Sequence, residues 1–161
     1  MAADVVLLAG ATGLIGGLAL PQLLQRAARE DWQIVAPVRR ALGLKHPRLR
    51  CVVGDPGTAD GLAAIESALS GQGARVTSFA CGLGSTLRAA GSQAAFAAVD
   101  RDLVLALAGI ARRRGARQAI VVSSVGAAAG SSNFYLRVKG EMEAGIEALG
   151  FECVDFLQPG L

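Results

Sequence analysis

An apolar segment that runs directly into a glycine-rich turn, residues 5–16 (VVLLAGATGLIG), constrains the fold of this chain more than any other stretch. Glycine occupies positions 10, 13 and 16. A buried strand that turns abruptly into a helix needs residues without a Cβ at the corner, because side chains there would keep the backbone away from a ligand. The helix would begin with unpaired N–H groups and the positive end of its dipole at the turn, which suits a pyrophosphate. The segment therefore predicts a dinucleotide site.

The predicted phosphate contacts all fall in this turn and in the first residues of the helix. They are Gly10, Thr12, Gly13, Leu14, Ile15 and Gly16. A glycine corner also occurs where a helix only packs closely on a strand. The nucleotide interpretation is favoured by the context, which is a strand before the turn and a helix after it at the start of the chain.

Composition favours a parallel sheet that is covered by helices. The 161 residues suffice for one domain with a continuous core, and 52% of them are hydrophobic while only 18% are charged. We predict an α/β fold, a Rossmann-type doubly wound parallel sheet in the order 3-2-1-4-5-6, as a single three-layer domain over residues 1–161. The predicted strands are 4–9, 33–38, 49–53, 76–81, 119–123 and 152–157, and the predicted helices are 14–28, 61–69, 93–114 and 134–149.

Charge and hydropathy argue against several other classes of protein. The net charge is only +3, and the one arginine run, residues 112–114, follows an apolar helical stretch, so we expect no nucleic-acid partner. Residues 5–25 are uncharged over a membrane-spanning length, but they contain glycines and Pro21, and no basic residue precedes them. We therefore expect no membrane segment and a cytoplasmic protein. The three cysteines lack metal-type spacing, so no metal site is expected.

The end of the second strand indicates which nicotinamide nucleotide would bind. An NAD-selective site has an acidic residue there for the ribose hydroxyls, whereas Arg39 and Arg40 would pair with the 2′-phosphate of NADP. Solvated surface arginines are the alternative. Asp55, at the end of the third strand, either accepts a hydrogen bond from the adenine amino group or only forms a turn with the Pro-Gly that follows. The sequence leaves both roles of Asp55 open.

A tyrosine and a lysine four residues apart indicate proton transfer. Tyr135 and Lys139 share one helical face, with about 5–6 Å between their Cβ atoms. An ammonium group that close favours tyrosinate, so Tyr135 could exchange a proton with an alcohol or a carbonyl. Ser123 or Ser124, at the end of the fifth strand, could hold the substrate oxygen. An ordinary amphipathic pair is the alternative.

Five segments together carry a family resemblance over essentially the whole chain. They are CGLGST (81–86), VDRD (99–102), VSSVGA (122–127), SSNFYLRVKGEME (131–143) and QPGL (158–161). The chain resembles the atypical short-chain dehydrogenases that bind NAD(P)H, the NmrA-like group that also includes a human tumour suppressor. This resemblance implies a Rossmann fold with NADPH held by the glycine turn. It also implies cofactor contacts from residues that match the family motifs: Arg39, Arg40, Leu83, Gly84, Tyr135 and Lys139.

Two departures from the family pattern concern the end of the chain. Gln158 replaces the arginine usual before the Pro-Gly pair, which puts any contact at this position in question. Relatives also continue for several dozen residues past this point and build the substrate side of the cleft from them. We therefore expect a substrate-side C-terminal extension to be absent or truncated.

Two hypotheses follow for the function. The first is an NADP(H)-dependent oxidoreductase that moves a hydride between the cofactor and a small carbonyl or alcohol, with Tyr135 as proton donor. The alternative is an NADPH-binding redox sensor or regulatory module without turnover. We further expect a possible homodimer, formed through apolar surface that the extension would otherwise cover. Asp100, Arg101 and Asp102 form either a partner surface or simply the solvated side of a long helix.

Overall fold

The computed structural model describes residues 3–160, which form one six-stranded parallel sheet in the order β3-β2-β1-β4-β5-β6. The strands are β1 (Asp4–Ala9), β2 (Trp32–Val38), β3 (Leu49–Val53), β4 (Arg75–Cys81), β5 (Gln118–Val122) and β6 (Cys153–Leu157). The predicted Rossmann-type sheet and its strand order are confirmed, and no strand boundary differs from its prediction by more than one residue. The order reverses between β1 and β4, which is where such sheets bind ligands.

Within the described residues, six α-helices connect the strands. They are α1 (Leu14–Glu30), α2 (Ala59–Ser70), α3 (Leu87–Ala90), α4 (Gln93–Ala97), α5 (Val104–Arg113) and α6 (Phe134–Ala148), with a short 3₁₀ turn at Gly71–Gly73. The sequence predicts one α-helix over 93–114, but a π-helical segment, Ala98–Leu103, joins α4 to α5. The four-residue α3 is too short to produce a periodic pattern. Within residues 3–160 no helix combines the length and apolarity needed to cross a bilayer.

Two apolar layers fix the sheet. Helices α2, α5 and α6 pack on one face, where Leu7 of β1 and Phe79 of β4 are buried together with Leu107 of α5 and Met142 of α6. Helix α1 packs on the opposite face and buries Leu20 against β1 and β2. These layers hold the carboxyl ends of β1 to β5 in a defined register, so the loops that follow the strands meet along one edge.

The α1 face of β5 and β6 is partly open to solvent. Ile120 of β5 lines a groove beside α1. Val122 is half-buried, and its register partner Leu157 on β6 is 51% exposed. Leu18 of α1 is 67% exposed. Apolar surface of the kind that would support self-association is therefore present, while the homodimer itself stays a prediction.

Candidate functional site

A cavity of about 950 Å³ opens at the carboxyl ends of β1 to β4. Its walls come from the turn after β1, the ends of β2 and β3, the loop after β4, and residues of α3, α4 and the π-helical segment. The cavity is at the switch point of the sheet, and its volume is at the upper end of the roughly 300–1,000 Å³ typical of ligand pockets. It is therefore the candidate binding site for a large organic ligand.

Close backbone contacts explain the glycines of the β1–α1 turn. Gly10 has a φ of +80°, and a Cβ there would lie 2.5 Å from the amide nitrogen of Leu83. A Cβ on Gly16 would overlap the carbonyl oxygen of Gly10. Gly13, in contrast, lines the cavity, and its Cβ would meet no atom closer than 3.4 Å. Packing therefore accounts for Gly10 and Gly16, whereas Gly13 leaves space next to the helix end for a ligand.

No capping side chain accepts a hydrogen bond from the N–H groups in the first turn of α1. Gly13 is the N-cap, no side-chain cap hydrogen bond is formed, and no acidic residue lies in the first turn. A phosphate would satisfy these N–H groups and the positive end of the helix dipole. Of the residues predicted to contact phosphates, Gly10, Thr12 and Gly13 line the cavity. Leu14 and Ile15 are exposed on the first turn and are not among the residues that line it.

Three predicted cofactor residues follow β2 and β3, and they differ in whether they line the cavity. Arg39 lines the cavity, whereas the exposed Arg40 is not among the described residues that line it. Asp55 also lines the cavity, and its Oδ1 accepts a hydrogen bond of 2.9 Å from the N–H of Gly57. Its carbonyl oxygen accepts a second bond from Oγ1 of Thr58. The turn-forming role of Asp55 is thus visible in the structure, and it leaves the second carboxylate oxygen for another donor.

The loop after β4 lies between the cavity and a buried ion pair. Leu83 and Gly84 line the cavity. A Cβ on Gly84 would lie 3.6 Å from Oδ1 of Asp100 and 3.8 Å from Nζ of Lys139. Glycine at this position therefore allows the loop backbone to lie directly on these two side chains.

The structure brings the predicted Tyr135 and Lys139 together on α6. Nζ of Lys139 is 5.9 Å from the centroid of the Tyr135 ring, and this ring packs against Phe96 at a centroid distance of 5.4 Å. Lys139 is only 4% exposed, and its Nζ lies 2.7 Å from Oδ1 of Asp100. The lysine therefore reaches Tyr135 as one half of a buried ion pair, an arrangement that the sequence interpretation did not include.

Asp100 was expected either on a partner surface or on the solvated side of a helix, and both expectations are wrong for this residue. It is fully buried, and its Oδ2 accepts a hydrogen bond of 3.0 Å from the N–H of Ser85. Burial raises the pKa of its carboxyl, and the hydrogen bond and charge of Lys139 oppose the rise. The spacing contained a usable signal, because Phe96, Asp100 and Val104 follow one another at helical intervals on a buried stripe.

The two candidate serines differ in their hydrogen bonds. Both are buried. Oγ of Ser123 has no partner among the described residues, whereas Oγ of Ser124 donates to the carbonyl of Val125 at 3.3 Å. Because buried hydroxyls are usually hydrogen-bonded, the unpaired Ser123 hydroxyl is available to a ligand or a water molecule.

These features fit a dinucleotide. The N-cap of α1, Gly13, has no Cβ to fill the space at the helix end. The first turn of α1 has no side-chain cap for its N–H groups, and Arg39 supplies a positive charge at the end of the second strand. Fold and site together define a dinucleotide-binding protein of the Rossmann class.

Comparison with known proteins gives the family. The model of a family described as NAD(P)H-binding matches residues 10–152, and the chain belongs to this family. Protein FMP52 of Eremothecium gossypii is 32% identical over 155 residues, which are 96% of this chain and 65% of that protein. Protein HTATIP2 of Rattus norvegicus is 44% identical over 81 residues, which are 50% of this chain and 33% of that protein. The predicted membership among the atypical short-chain dehydrogenases is confirmed. The matched stretch, which is nearly the whole chain for FMP52 and half of it for HTATIP2, covers about two thirds of FMP52 and one third of HTATIP2.

Solved structures show the same fold. A short chain dehydrogenase from Burkholderia cenocepacia in complex with NADP matches with a TM-score of 0.76 and 22% identity, covering 99% of this chain and 73% of that chain. MoeE5 in complex with UDP-glucose and NAD matches with a TM-score of 0.67 and 18% identity, covering 95% of this chain and 53% of that chain. At these identities the likeness establishes the fold. One neighbour holds NADP and the other NAD.

The expectation of a cytoplasmic protein is contradicted. FMP52 proteins of Aspergillus clavatus and Aspergillus fumigatus, 32% and 34% identical to this chain, are named mitochondrial, as is the Eremothecium gossypii protein. The uncharged stretch on which the expectation rested forms β1, the glycine turn and most of α1. Its β1 part is buried in the sheet, whereas Leu14, Ile15 and Leu18 of its helical part are exposed, and its lack of charge carries no information about the compartment.

Proposed function

We propose that this chain is the cofactor-binding part of an NADP(H)-dependent oxidoreductase that interconverts a small carbonyl compound and its alcohol. The observation that carries the proposal is the Tyr135–Lys139 pair, with Nζ 5.9 Å from the ring centroid, one loop away from a cavity built for a dinucleotide. A proton donor next to a hydride donor is the minimum that carbonyl reduction needs.

The residues of this chain have distinct roles in the proposed reaction. A bound reduced nicotinamide supplies the hydride. The hydroxyl of Tyr135 donates a proton to the carbonyl oxygen, so that the carbon gains the hydride, the oxygen gains the proton, and the product is the alcohol. The ammonium of Lys139 stabilises the phenolate that remains. A hydroxyl from Ser123 or Ser124 donates a hydrogen bond to the same substrate oxygen and fixes its position.

Arg39 supports NADP(H) over NAD(H). Arg39 lines the cavity at the end of β2, on the side where the adenosine ribose of a Rossmann-bound nucleotide lies. A guanidinium group pairs well with a 2′-phosphate. Arg40 is a weaker candidate because it is exposed and outside the cavity lining.

Calorimetric titration of NADPH and NADH tests the cofactor assignment. We expect Arg39→Ala to lower the affinity for NADPH by about ten- to a hundredfold, as for loss of a charge-assisted contact, and to leave the affinity for NADH unchanged. Arg29→Ala, an exposed arginine at the far end of α1, is the matched control. Equal affinities of the wild type for both nucleotides would remove the role given to Arg39. Tryptophan fluorescence is a poor reporter here, because Trp32 begins β2 at the end away from the cavity.

A second candidate function is an NADPH-binding module that senses or signals without turnover. The specific observation in its favour is that the cavity is lined by the turn, strand ends and loop that would hold a nucleotide, whereas Tyr135, Lys139, Ser123 and Ser124 are not among the described residues that line it. The two candidates separate on turnover. A reductase converts carbonyl compounds and depends on Tyr135, whereas a module binds NADPH with the same affinity and converts none.

A further inference from the structure

The ring of Tyr135 belongs to a small group of apolar side chains beside the cavity, which we call the aromatic cluster. Tyr135 packs against Phe96 of α4 at a centroid distance of 5.4 Å, and Phe134 packs against the same Phe96 ring at 6.0 Å. Phe96 and Val138 are buried at its centre, and Ala90 of α3 packs against it. The proposed proton donor therefore has mainly hydrocarbon around its ring.

Helix α3 joins the aromatic cluster to the cavity. Ala90 packs against the cluster and also lines the cavity, as do Thr86 and Ala89 of the same short segment. Leu87 lies three residues before Ala90, so the two side chains are neighbours on the helix surface, and Leu87 is 39% exposed. α3 thus presents apolar side chains where the cavity and the cluster share a residue.

The cations of α6 that are nearest to Tyr135 in sequence already have partners. Nη1 of Arg137 donates a hydrogen bond of 3.0 Å to the carbonyl oxygen of Ser131, and its guanidinium lies 5.5 Å from the centroid of the Phe134 ring. Nζ of Lys139 lies 2.7 Å from a buried carboxylate. Neither cation is therefore available to neutralise an anionic group on a substrate.

The charged residues of the cavity lie on its other side. Among the described residues that line the cavity, these are Arg39 and Asp55, which follow β2 and β3, whereas Tyr135 is on the helix that follows β5. Arg88 of α3 is exposed and is not part of the described lining. A carboxylate or phosphate that was buried beside Tyr135 would lose its hydration without a partner, at a cost of several kcal/mol. A hydrocarbon group would gain free energy from the same burial.

We propose that the carbonyl substrate is uncharged and apolar, an aromatic or aliphatic aldehyde or ketone, and that its hydrocarbon part packs against Leu87 and Ala90 of α3 at the edge of the aromatic cluster. This inference rests on the proposed function for the reaction itself. It adds the chemical class of the substrate and makes Leu87 a specificity-determining residue.

A binding measurement that needs no turnover is the first test. Tyr135 is the only tyrosine in the sequence, so protein labelled with ¹³C-tyrosine gives one set of ring signals from the proposed site. NADPH cannot reduce an alcohol, so alcohols added with NADPH are unreactive probes. We expect benzyl alcohol to shift the Tyr135 signals saturably. We expect 4-(hydroxymethyl)benzoate, which carries a carboxylate on the same ring, to leave them unchanged at the concentration that saturates benzyl alcohol.

Turnover is the second test. The kcat/KM of the wild type for benzaldehyde should exceed that for 4-carboxybenzaldehyde by roughly a hundredfold or more. Leu87→Lys places a cation beside the substrate and should narrow this ratio by about tenfold or more, because it supplies the missing partner. Gln93→Lys adds the same charge at an exposed position of α4 and should leave the ratio unchanged. Equal effects of the two substitutions would overturn the role of Leu87.

A second variant guards against loss of folding. Leu87→Ala should lower kcat/KM for benzaldehyde by about fourfold or more, as for lost apolar contact, and leave acetaldehyde unaffected because this substrate is too small to reach Leu87. The same loss for both aldehydes would contradict the contact. A wild type that prefers 4-carboxybenzaldehyde, and loses that preference in Arg88→Ala, would overturn the inference in favour of an anionic substrate.

These measurements distinguish failure of the inference from failure of the proposed function. If the wild type binds NADPH but reduces no aldehyde, the proposed function fails, and the Tyr135 signals still decide whether an apolar ligand binds beside the ring. A shift with benzyl alcohol alone would support the apolar site, and no shift would overturn it. If both benzaldehydes are reduced equally well, the proposed function holds and only this inference fails.

Discussion

Nζ of Lys139 lies 2.7 Å from Oδ1 of Asp100, and water reaches almost none of either side chain. Each charge would be costly alone, since burial raises the pKa of Asp100 and its interactions with Lys139 oppose that rise. The two residues come from the π-helical segment and from α6, 39 positions apart in sequence. Their mutual dependence makes the pair sensitive to loss of either member.

We expect Lys139→Met to destabilise the protein by about 3–5 kcal/mol at neutral pH, because it leaves the Asp100 carboxylate buried without its partner. Urea unfolding followed by circular dichroism measures the change in the free energy of unfolding. Lys45→Met, at an exposed lysine, should stay within about 0.5 kcal/mol of the wild type. Equal effects of the two substitutions would contradict the importance of the pair.

The pH dependence of Lys139→Met gives an independent check. Without the lysine, the folded-state pKa of Asp100 should rise further above its unfolded value, because the hydrogen bond and charge of Lys139 no longer oppose the rise that burial causes. A raised carboxyl pKa favours folding while the group is protonated and opposes it once the group ionises. The stability deficit of the variant should therefore be small at acid pH and grow as pH rises. Asp100→Asn introduced with Lys139→Met should remove this growth.

Substitution of Gly16 by alanine should disrupt the glycine turn between β1 and α1. Its Cβ would overlap the carbonyl oxygen of Gly10, so we expect a loss of about 1–3 kcal/mol in the free energy of unfolding together with weaker NADPH binding. Gly17→Ala is a matched control one residue further along α1. The added Cβ there meets nothing closer than 3.8 Å, and alanine should stabilise the helix by up to about 1 kcal/mol. Similar losses in both variants would show that the overlap is not the cause.

Replacement of Tyr135 by phenylalanine separates chemistry from binding. The ring and its packing on Phe96 are retained, and only the hydroxyl is lost. We expect kcat for any carbonyl substrate found in a panel of aldehydes and ketones to fall by about 10²–10⁴, while calorimetric NADPH affinity stays the same. A variant that turns over normally would exclude Tyr135 as proton donor. A wild type that binds NADPH and converts no member of the panel would support the sensing module.

Cysteine alkylation tests the sheet and one electrostatic contact. Cys81 is buried, and burial raises its pKa to about 12, whereas Cys153 is exposed on β6, with Sγ 3.7 Å from Oδ2 of Asp155. Iodoacetamide at slightly alkaline pH should therefore modify Cys153 well before Cys81, as resolved by peptide mass spectrometry.

The charge of Asp155 raises the pKa of Cys153 and so lowers the thiolate fraction below pH 9. Asp155→Asn should accordingly increase the alkylation rate of Cys153. Asp60→Asn, at the first turn of α2, should leave the rate unchanged. A rate that responds equally to both substitutions would indicate a general charge effect rather than this contact.

The sheet was predictable because each strand has a recognisable local sequence pattern of its own. Each is a short segment rich in apolar and β-branched residues, with glycine, proline or charged residues nearby, and right-handed crossovers then leave one plausible order. The tyrosine and lysine were also predictable, since spacing by four residues on a helix determines that they share a face. Both features depend on local pattern alone.

The ion pair was not predictable in the same way. Asp100 begins a charged run with Arg101 and Asp102 that resembles a solvated face, and only its spacing of four residues from Phe96 and from Val104 places it on a buried stripe. Whether Arg40 contacts the nucleotide stays a prediction, because the structure leaves it exposed beside the cavity lining. The compartment could not be predicted from hydropathy, because residues 5–25 are uncharged as part of the fold, and a folded domain of this kind can have the same composition in the cytoplasm or in an organelle.

The winding of Ala98–Leu103 also makes the length of this helical connection meaningful. An α-helix turns by about 100° per residue. Loss of one amino acid from this stretch would let α4 run into α5 as a regular helix, and either the carboxylate or the apolar stripe of α5 would then point in a new direction. A related protein with a shorter connection would need a carboxylate from another position to neutralise the lysine that corresponds to Lys139. The number of residues in this segment therefore predicts whether a related sequence pairs its lysine in the same way.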